Sequence, residues 1–570
     1  MNAGRSEPRY APATHPLETL GLWLLGTLVG VGAVVWLTGE LSGRLFSGAW
    51  PHTHTSDIGS IVLGYRHHLL DPAQAWPTGA RRLLPGPAAF YATMATLVLP
   101  AFAASAWLAA HRRDRSGARG ANWARGRDLR TLRISAAEPG RLSLGRVDGR
   151  LVAAESRQSA IVIGPTQTGK TTGFAIPAIL EWQGPVVATS VKTDLLRETL
   201  SARAALPRAQ TWVYDPTGST GMPAAGWTPL MECLTWQGAQ RTADWLVRAA
   251  RPAAAGIESA DFWYGAAAKI LAPILLAAAC SGGTMNEVIG WLDMQETALV
   301  RLALGANDEL DALTAVEAIS MWDERTRGSV YATAQTILNA YTDPGVLDSA
   351  MTADLRAKHL LDGGHHTAYL CAPAHEQRRL QPLFATLVQE VIAHAYGLAA
   401  ETGKPLDPPL LLVLDECANI APLRELATLA ATGAGQGIQL VTIFQDMAQI
   451  NAVYGRDHAP TILSNHRAKV ILSGISDPMT LTYIARLLGN EETQHTSTTS
   501  GGGGHRSTTN SVVYRDLAPA HILREMQPGH GILVYGHLPP ARITLRPWFK
   551  ERRLRRLTTP HRQRTQAALP

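Results

Sequence analysis

Residues Ile161 to Ile179 read IVIGPTQTGKTTGFAIPAI, and their centre, from Gly164 to Thr171, has the spacing G-x-x-x-x-G-K-T. A strand-like apolar run enters this motif and a helix-like apolar run leaves it. The glycines let the backbone turn so that its N–H groups face phosphate oxygens. Lys170 adds a positive charge for the β- and γ-phosphates, and the hydroxyl of Thr171 can bind Mg²⁺. The strand–loop–helix setting therefore predicts a loop that binds ATP and Mg²⁺.

A phosphate-binding loop needs a carboxylate at the end of a second core strand, and the run PLLLVLDE (409–416) supplies one. Asp415 is predicted to hold Mg²⁺ together with Thr171, and Glu416 to orient or deprotonate the attacking water. The next apolar strand, IQLVTIF, ends at Gln445, whose amide could sense the γ-phosphate or could be an ordinary polar strand end. The predicted catalytic residues are Lys170, Glu416 and Gln445.

Length and composition set the class of protein. A chain of 570 residues is too long for a single core, so two or more domains are expected. The apolar share of 46% and the charged share of 17% exclude a disordered chain and fit a globular protein with some membrane segments. Four cysteines without C-x-x-C pairing argue against a disulfide framework or a zinc site.

Positive charge is concentrated at two places in the chain. Residues 111–133 and residues 550–566 each carry a net charge of +6, so the remainder sums to −6 within a total of +6. The net charge of the chain outside these two clusters therefore gives no argument that it binds nucleic acid. The first cluster is interpreted as a membrane-topology signal. The second belongs to a basic tail at 551–570, which is interpreted as a solvated terminus.

Two uncharged apolar segments precede the nucleotide loop, and each is long enough to cross a membrane as a helix. They are predicted to be transmembrane helices at 20–38 and 88–110. A signal peptide is the alternative for the first, and it is disfavoured because no A-x-A site follows. Since arginine-rich flanks stay in the cytoplasm, residues 1–19 and the motor should lie inside and residues 39–87 outside. The expected location is the inner (plasma) membrane, as a multi-pass protein.

Beyond the membrane segments, short apolar strands alternate with helical patterns, which favours a parallel sheet with crossover helices. The pattern is mostly helical between 231 and 360. We therefore predict one α/β nucleotide-binding domain, at 111–230 and 361–550, interrupted by an all-α insert domain at 231–360.

Two further stretches require an interpretation. The apolar run 266–280 is short and contains Lys269, and a lysine at a membrane centre costs about 2.5–3.5 kcal/mol. It is predicted to be a buried helix of the insert rather than a third membrane span. The Gly/Ser/Thr-rich stretch 493–511 is too polar to pack and is predicted to be a mobile loop.

Taken in order, the motifs GPTQTGKT, VVATSVKTDLL, VYDPTG, GWTPL, LLVLDE and GIQLVTIFQDMAQINAVYG resemble those of the type IV coupling proteins. These are the TraG/TraD group of conjugation and type IV secretion ATPases. The resemblance covers nearly the whole chain, including the two membrane helices and the helical insert. It implies a RecA-like P-loop NTPase motor, usually a homo-hexamer, docked on a membrane secretion channel. It also implies ATP-driven delivery of single-stranded DNA bound to a relaxase, or of protein substrates.

The same resemblance implies roles for individual residues. Asp415 and Glu416 would form the second nucleotide motif, and Gln445 would be the polar sensor of the family. Contacts to the nucleotide would extend over the whole loop, namely Gly164, Pro165, Thr166, Gln167, Thr168, Gly169, Lys170, Thr171 and Thr172.

The chain departs from the family pattern at two places. Many members have D-P-K-G-E where this chain has S-V-K-T-D at 190–194, so Lys192 and an acid at 194 are retained but the first aspartate is not. Many members also carry an arginine before the strand that leads to Gln445, where this chain reads ATGAGQGIQL. If an arginine completes the site of a neighbouring subunit, spacing leaves Arg424 and Arg456 open as candidates.

The sequence therefore predicts a membrane-anchored coupling ATPase for conjugative DNA, with three alternatives. A receptor whose cargo is protein only would lack DNA-stimulated ATPase activity. An FtsK-like chromosome translocase would carry a DNA-reading winged-helix module after the motor, for which few residues are available. A non-enzymatic scaffold with an inactive site is disfavoured by the intact Lys170, Thr171, Asp415 and Glu416.

Overall fold

The computed structural model describes residues 16–113, 120–191, 193–251, 258–500 and 506–558. The chain divides into two compact units, residues 1–118 and residues 119–570. Most of the predicted N-terminal segment 1–19 and most of the basic tail 551–570 lie outside the described residues.

The first unit is built from four α-helices in its described part. Its small core joins Val35, Ile61, Trp76 and Phe90, none of them more than 5% exposed. The two predicted membrane segments fall within the first and last of these helices, which extend beyond the predicted bounds. The helices are α1 (Pro16–Ser47), α2 (Ile58–Tyr65), α3 (Thr78–Arg81) and α4 (Pro87–Arg113).

Three helical segments of the described residues are long and apolar enough to cross a membrane, judged by length and composition alone. They are Pro87–Ser105, Asp261–Cys280 and Gln377–Thr402. Of the first segment, which lies in α4, 12% is buried within the protein, whereas 61% of each of the other two is buried. The apolar surface of α4 is therefore exposed, while the other two segments contribute their apolar faces to the core of the second unit.

The second unit contains thirteen β-strands in its described part, eleven of which form one sheet. The strands are β1 (Ser143–Val147), β2 (Arg150–Ala153), β3 (Ala160–Ile163), β4 (Val186–Ser190), β5 (Thr211–Tyr214), β6 (Thr367–Cys371), β7 (Leu410–Leu414), β8 (Ile438–Phe444), β9 (Ala468–Leu472), β10 (Asn490–Ser500), β11 (Arg506–Asp516), β12 (His530–Tyr535) and β13 (Ala541–Thr544).

The large sheet has the strand order β2-β1-β13-β12-β9-β3-β8-β7-β4-β6-β5. Neighbours from β9 to β5 are parallel, and the remaining pairs from β9 outward to β2 are antiparallel. The central strands are buried along their whole length because helices cover both faces, as is usual for parallel sheets. Along β3, Ile161 and Ile163 join the core on one face and Ala160 and Val162 the core on the other.

Between β5 and β6 the described chain is helical, with α8 at its centre. This helix packs against α7, α10, α11 and α12, and Ala267, Leu271 and Leu275 have no exposed surface. The prediction of a buried helix over 266–280 is thus confirmed. The insert helices are α7 (Trp236–Ala250), α8 (Glu258–Cys280), α9 (Met285–Asp293), α10 (Ala298–Ala306), α11 (Leu310–Ser320), α12 (Glu324–Ile337), α13 (Pro344–Asp348) and α14 (Ala357–Leu360).

The remaining helices pack on the sheet or connect its strands. They are α5 (Ile176–Glu181), α6 (Thr193–Ala204), α15 (Gln377–Thr402), α16 (Cys417–Ile420), α17 (Leu426–Gln436), α18 (Met447–Tyr454), α19 (Ala459–Asn465), α20 (Pro478–Leu488), α21 (Ala520–Arg524) and α22 (Arg552–Thr558).

The prediction of a mobile loop at 493–511 is wrong. β10 and β11 form an antiparallel ribbon whose register runs from Asn490 opposite Asp516 to Ser500 opposite Arg506. The stretch is too polar to join a core, but its many threonines favour extended backbone, and a ribbon satisfies its own backbone hydrogen bonds. The low hydrophobicity of this stretch therefore excludes its packing in a core, but it does not exclude strand pairing. Residues 501–505, between the two strands, lie outside the described residues.

The segment that follows β13 binds the first helical turn after the nucleotide loop. The N–H of Arg546 donates to the carbonyl of Gly173 and the N–H of Trp548 to the carbonyl of Thr172, both at 3.1 Å. Pro177 explains why the Gly173 carbonyl is open to such a partner. It lies four residues further on and has no N–H to donate. The C-terminal strand segment thus completes the hydrogen bonding of this turn.

Arg546 also lies at the centre of a buried cluster of charged side chains. Its guanidinium pairs with Glu181 and with Glu551, each at 2.7 Å, and the side chains of Arg546 and Glu181 are only 3% and 5% exposed. Glu551 also pairs with Arg146 at 2.9 Å. Among the described residues, Glu181 pairs with Arg546 alone. This cluster fixes the segment after β13 to α5.

We predict that Arg546→Met destabilises the protein by about 3–5 kcal/mol, because Glu181 would keep a buried charge without a partner. Urea titration of the purified full chain in detergent, followed by tryptophan fluorescence, measures the free energy of unfolding. The double variant Arg546→Met/Glu181→Leu removes both charges and should recover a large part of the loss. Equal destabilisation of the single and double variants would assign the effect to packing instead.

Candidate active site

Three adjacent parallel strands bring the predicted motifs to one edge of the sheet. β8 lies between β3 and β7, with Phe444 aligned to Ile163 and Thr442 aligned to Leu414. Because the strands are parallel, the residues that follow them emerge together. These are Gly164 after β3, Gln445 after β8 and Asp415 after β7.

The loop from Gly164 to Lys170 depends on glycine at two positions. A Cβ at Gly164 would lie 2.8 Å from the side chain of Leu472 on β9, so only glycine fits there. Gly169 has φ of +87°, in the left-handed region that glycine enters without strain. Gln167 also has a positive φ, of +64°. Thr166 and Gln167 are exposed at the tip of the loop, whereas Thr168 is buried and its hydroxyl donates to the carbonyl of Pro165 at 2.8 Å.

Lys170 lies beneath this loop. Its Nζ donates to the carbonyl oxygens of Gly164 and Pro165, both at 2.7 Å, and the residue is 9% exposed. Burial lowers the pKa of Lys170, and the nearby Asp415 and Glu416 oppose that shift. The ammonium is thus directed into the concave side of the loop, where it can exchange carbonyl oxygens for phosphate oxygens.

Thr171 and Asp415 are in direct contact. The Thr171 hydroxyl donates to Oδ2 of Asp415 at 2.8 Å, across 244 positions of sequence. The Thr189 hydroxyl, from β4, donates to the backbone carbonyl of Asp415 at 2.9 Å. Burial raises the pKa of Asp415 to about 6, against the opposing hydrogen bond from Thr171. A hydroxyl beside a carboxylate is an oxygen donor set that suits Mg²⁺, so these residues fit the ion.

Glu416 is held in an unusual backbone conformation. Its φ of +56° places a non-glycine residue in the left-handed region, which costs on the order of 1–3 kcal/mol. Its carboxylate accepts a hydrogen bond from the side-chain amide of Asn419 at 2.9 Å. The turn and the amide together fix the direction of a half-buried carboxylate beside Asp415.

Gln445 directly follows β8 and is half-buried at the shared edge of the sheet. Its backbone N–H donates to the side chain of Gln449 in the first turn of α18 at 2.8 Å. Asp446 caps that helix by accepting from the N–H of Gln449. The position between the nucleotide loop and the two carboxylates is compatible with the predicted sensor role, which remains a prediction.

The segment that departs from the family pattern follows β4. Ser190 is the last residue of that strand, next to β7. Asp194 lies in the first turn of α6, and its carboxylate pairs with Arg197 at 3.1 Å. The retained acid is therefore occupied by a neighbour on the same helix. Lys192 is outside the described residues.

The two arginine candidates differ in their surroundings. The guanidinium of Arg424 donates to the backbone carbonyls of Arg248 and Arg251, at the C-terminal end of α7. Glu425 pairs in return with Arg248 at 3.1 Å. Arg456 is exposed, and no carboxylate of the described residues lies within ion-pair distance of it. Arg424 is thus engaged within the subunit, whereas Arg456 remains a candidate for action on a neighbour.

Three contributors to this site were not singled out from the sequence. Thr189 comes from β4 and Arg546 from the segment after β13. The sequence does not place either beside the nucleotide loop, and no local pattern identifies them. Asn419 lies three residues after Glu416, and that spacing within a helical turn could have suggested the contact.

A family model described as type IV secretory system conjugative DNA transfer matches residues 127–569. The conjugal transfer protein TraG of Escherichia coli is 27% identical over 54% of this chain and 51% of its own length. Protein VirD4 of Agrobacterium fabrum is 24% identical over 70% of this chain and 60% of its own length. The chain therefore spans between half and two thirds of the length of these relatives.

A similar fold occurs in the plasmid coupling protein TrwB, solved in complex with ADP and Mg²⁺. The TM-score is 0.58 at 19% identity, over 75% of this chain and 94% of the TrwB chain. At this identity the likeness concerns the fold, with its mixed α/β sheet. Because the family model extends over most of the chain, the protein belongs to the type IV coupling proteins of conjugative DNA transfer.

Proposed function

We propose that the protein is a membrane-anchored ATPase that couples ATP hydrolysis to the delivery of conjugative single-stranded DNA, bound to a relaxase, into a type IV secretion channel. The observation that carries this proposal is the contact of Thr171 with Asp415, flanked by Lys170 and Glu416, in a chain of the conjugative DNA transfer family. A non-enzymatic scaffold would have no need for these four side chains to converge.

The residues have distinct roles in this proposal. Residues 164–172 hold the phosphates of ATP, with Lys170 stabilising the charge that develops on the β- and γ-phosphates. Thr171 and Asp415 hold Mg²⁺, and TrwB was solved in complex with ADP and Mg²⁺. The ion neutralises phosphate charge when it is bound. Glu416 accepts a proton from the attacking water, and Gln445 senses the γ-phosphate.

The membrane part of the proposal rests on the first unit. Residues 20–38 and 88–110 lie in α1 and α4, and the apolar surface of α4 is exposed. We infer that both helices cross the inner membrane, with the motor in the cytoplasm. The arginine-rich residues 111–133 would then lie on the cytoplasmic side, where positive residues are retained.

The assembled state is proposed to be a homo-hexamer that surrounds the transported strand. Its channel and relaxase partners would be those of a type IV secretion system. A receptor for protein effectors only is the alternative within the family, and an FtsK-like translocase acting on duplex DNA is the alternative outside it. The matching family model is described as conjugative DNA transfer, and that description favours conjugative transfer over both.

Lys170→Ala is expected to abolish ATP hydrolysis, because the ammonium stabilises phosphate charge in the transition state. Glu416→Gln should retain ATP binding and lose turnover, since an amide cannot accept the proton of the attacking water. Phosphate release by the purified full chain measures turnover, and a fluorescent ATP analogue measures binding.

Lys404→Ala and Glu401→Gln are matched controls, because both residues are exposed at the far end of α15 and its following turn. Both should hydrolyse ATP like the wild type. Wild-type turnover by Lys170→Ala would exclude this loop as the motor site, and normal turnover by Glu416→Gln would disprove the assignment of the base.

Single-stranded DNA should raise ATPase activity, and the stimulation should weaken with added salt because phosphate contacts release counterions. The measurement is phosphate release against oligo(dT) concentration at several salt concentrations. Stronger stimulation by duplex DNA would favour the FtsK-like alternative. No stimulation by either nucleic acid would favour protein cargo.

Arg456→Ala is expected to lower turnover by ten-fold or more, roughly 1.4 kcal/mol, without loss of ATP binding. In related phosphoryl-transfer systems a guanidinium supplied by a neighbour is worth about 10³–10⁵ in rate. Mixing the variant with wild type before assembly should inhibit the mixed rings. Normal turnover by the assembled variant would show that Arg456 does not complete the nucleotide site of a neighbouring subunit.

A further inference from the structure

A basic cavity of about 980 Å³ lies between the helical insert, the start of α15 and the loop after β7. Its charged lining consists of Arg251, Arg378, Arg379 and Arg424, with His375 beside them. None of the described residues that line it is acidic. The cavity therefore has a positive field although the chain outside residues 111–133 and 550–566 sums to −6, and such concave surfaces attract anions.

Two of the four arginines are neutralised by carboxylates near the cavity. Arg379 pairs with Glu376 at 2.6 Å and with Asp343 at 2.9 Å, and Arg251 pairs with Asp261. For the other two, Arg378 and Arg424, no carboxylate of the described residues lies within ion-pair distance. The excess positive charge of the cavity therefore comes from this second pair.

The two uncompensated guanidinium groups are held differently. Arg424 is half-buried and fixed by the backbone carbonyls of Arg248 and Arg251, which accept hydrogen bonds without adding negative charge. Arg378 is exposed in the first turn of α15 and is free to reorient towards a ligand. One fixed and one mobile arginine face the same space.

Gln377 provides an independent indication of a ligand. It is 5% exposed and lines the cavity, and its amide nitrogen has no hydrogen-bond acceptor within the described chain. A buried donor without an acceptor costs about 1–3 kcal/mol, so such groups are usually explained by a partner that carries oxygen atoms. Gln377 is also the first residue of the 26-residue helix α15, whose N-terminus favours anions.

We propose that this cavity binds the phosphate groups of single-stranded DNA. The inference rests on the proposed function, since it assigns a contact site to the cargo of that same motor. Phosphate is favoured as the anion because the planar fork of arginine matches its geometry. None of the described lining residues is Phe, Tyr or Trp, so base stacking contributes little there. Binding through the backbone alone should be nearly independent of base sequence and strongly dependent on salt.

The position of the cavity also brings the DNA close to the nucleotide site. Asn419 lines the cavity and donates to the carboxylate of Glu416 at 2.9 Å. A phosphate in the cavity would thus lie one side chain away from the base that activates water. This proximity offers a physical reason why cargo should affect turnover.

The test measures binding of fluorescent oligo(dT) to the full chain in detergent, by anisotropy, over a series of salt concentrations. Arg378→Glu should lower the affinity ten-fold or more, and it should reduce the slope of log affinity against log salt by about 0.7 for each phosphate that the variant no longer neutralises. Gln377→Leu removes a donor without changing charge, so it should weaken binding by about five-fold and leave the slope unchanged.

Arg325→Glu is the matched control, because Arg325 is an exposed arginine on α12 that does not line the cavity. It should bind DNA like the wild type. Thermal melting of each variant, followed by tryptophan fluorescence, excludes loss of folding as the cause of weaker binding.

The outcomes separate this inference from the function on which it rests. If the wild type binds oligo(dT) and Arg378→Glu binds it equally well with the same slope, the cavity is not the DNA site and the proposed cargo stands. If the wild type hydrolyses ATP but does not bind oligo(dT) even at low salt, the proposed cargo itself is wrong. If poly-glutamate binds with the same dependence on Arg378, the cavity takes acidic peptides instead of DNA.

Discussion

The register of three parallel strands is the constraint on which the nucleotide site depends. β8 separates β3 from β7, and its alignment with both decides which residues emerge at the common edge. The hydrogen bond of Thr171 with Asp415 then closes the site across the strand between them. A slip of one residue in either pairing would reverse which side chains face each core, so packing and site geometry are specified together.

The parts of the site that lie within one motif were predictable from the sequence. A glycine-rich turn between an apolar strand and a helix has few conformations, and it determines where Lys170 and Thr171 can point. Asp415 and Glu416 were identified because five apolar residues precede them, a length typical of a buried strand. The buried helix over 266–280 was likewise recognisable, since Lys269 argues against a membrane span.

The parts that depend on distant segments could not be predicted in the same way. Arg424 was a candidate for action on a neighbouring subunit, but its guanidinium is engaged by the carbonyls at the end of α7. Nothing in the local sequence indicates that the helical insert returns to this loop. The ribbon of β10 and β11 was misjudged because polarity was taken to exclude regular structure, although its threonines favour strand pairing.

The position of β3 has a consequence for how the protein is made. β3 lies between β8 and β9, which are synthesised almost three hundred residues later, and the turn after the nucleotide loop is completed by Arg546 and Trp548. A growing chain on the ribosome therefore carries the loop long before it carries the neighbours that shape it. Contacts of such long range also form slowly. An incomplete subunit consequently lacks the strands and the turn that complete this loop until the last strand of the sheet has been synthesised.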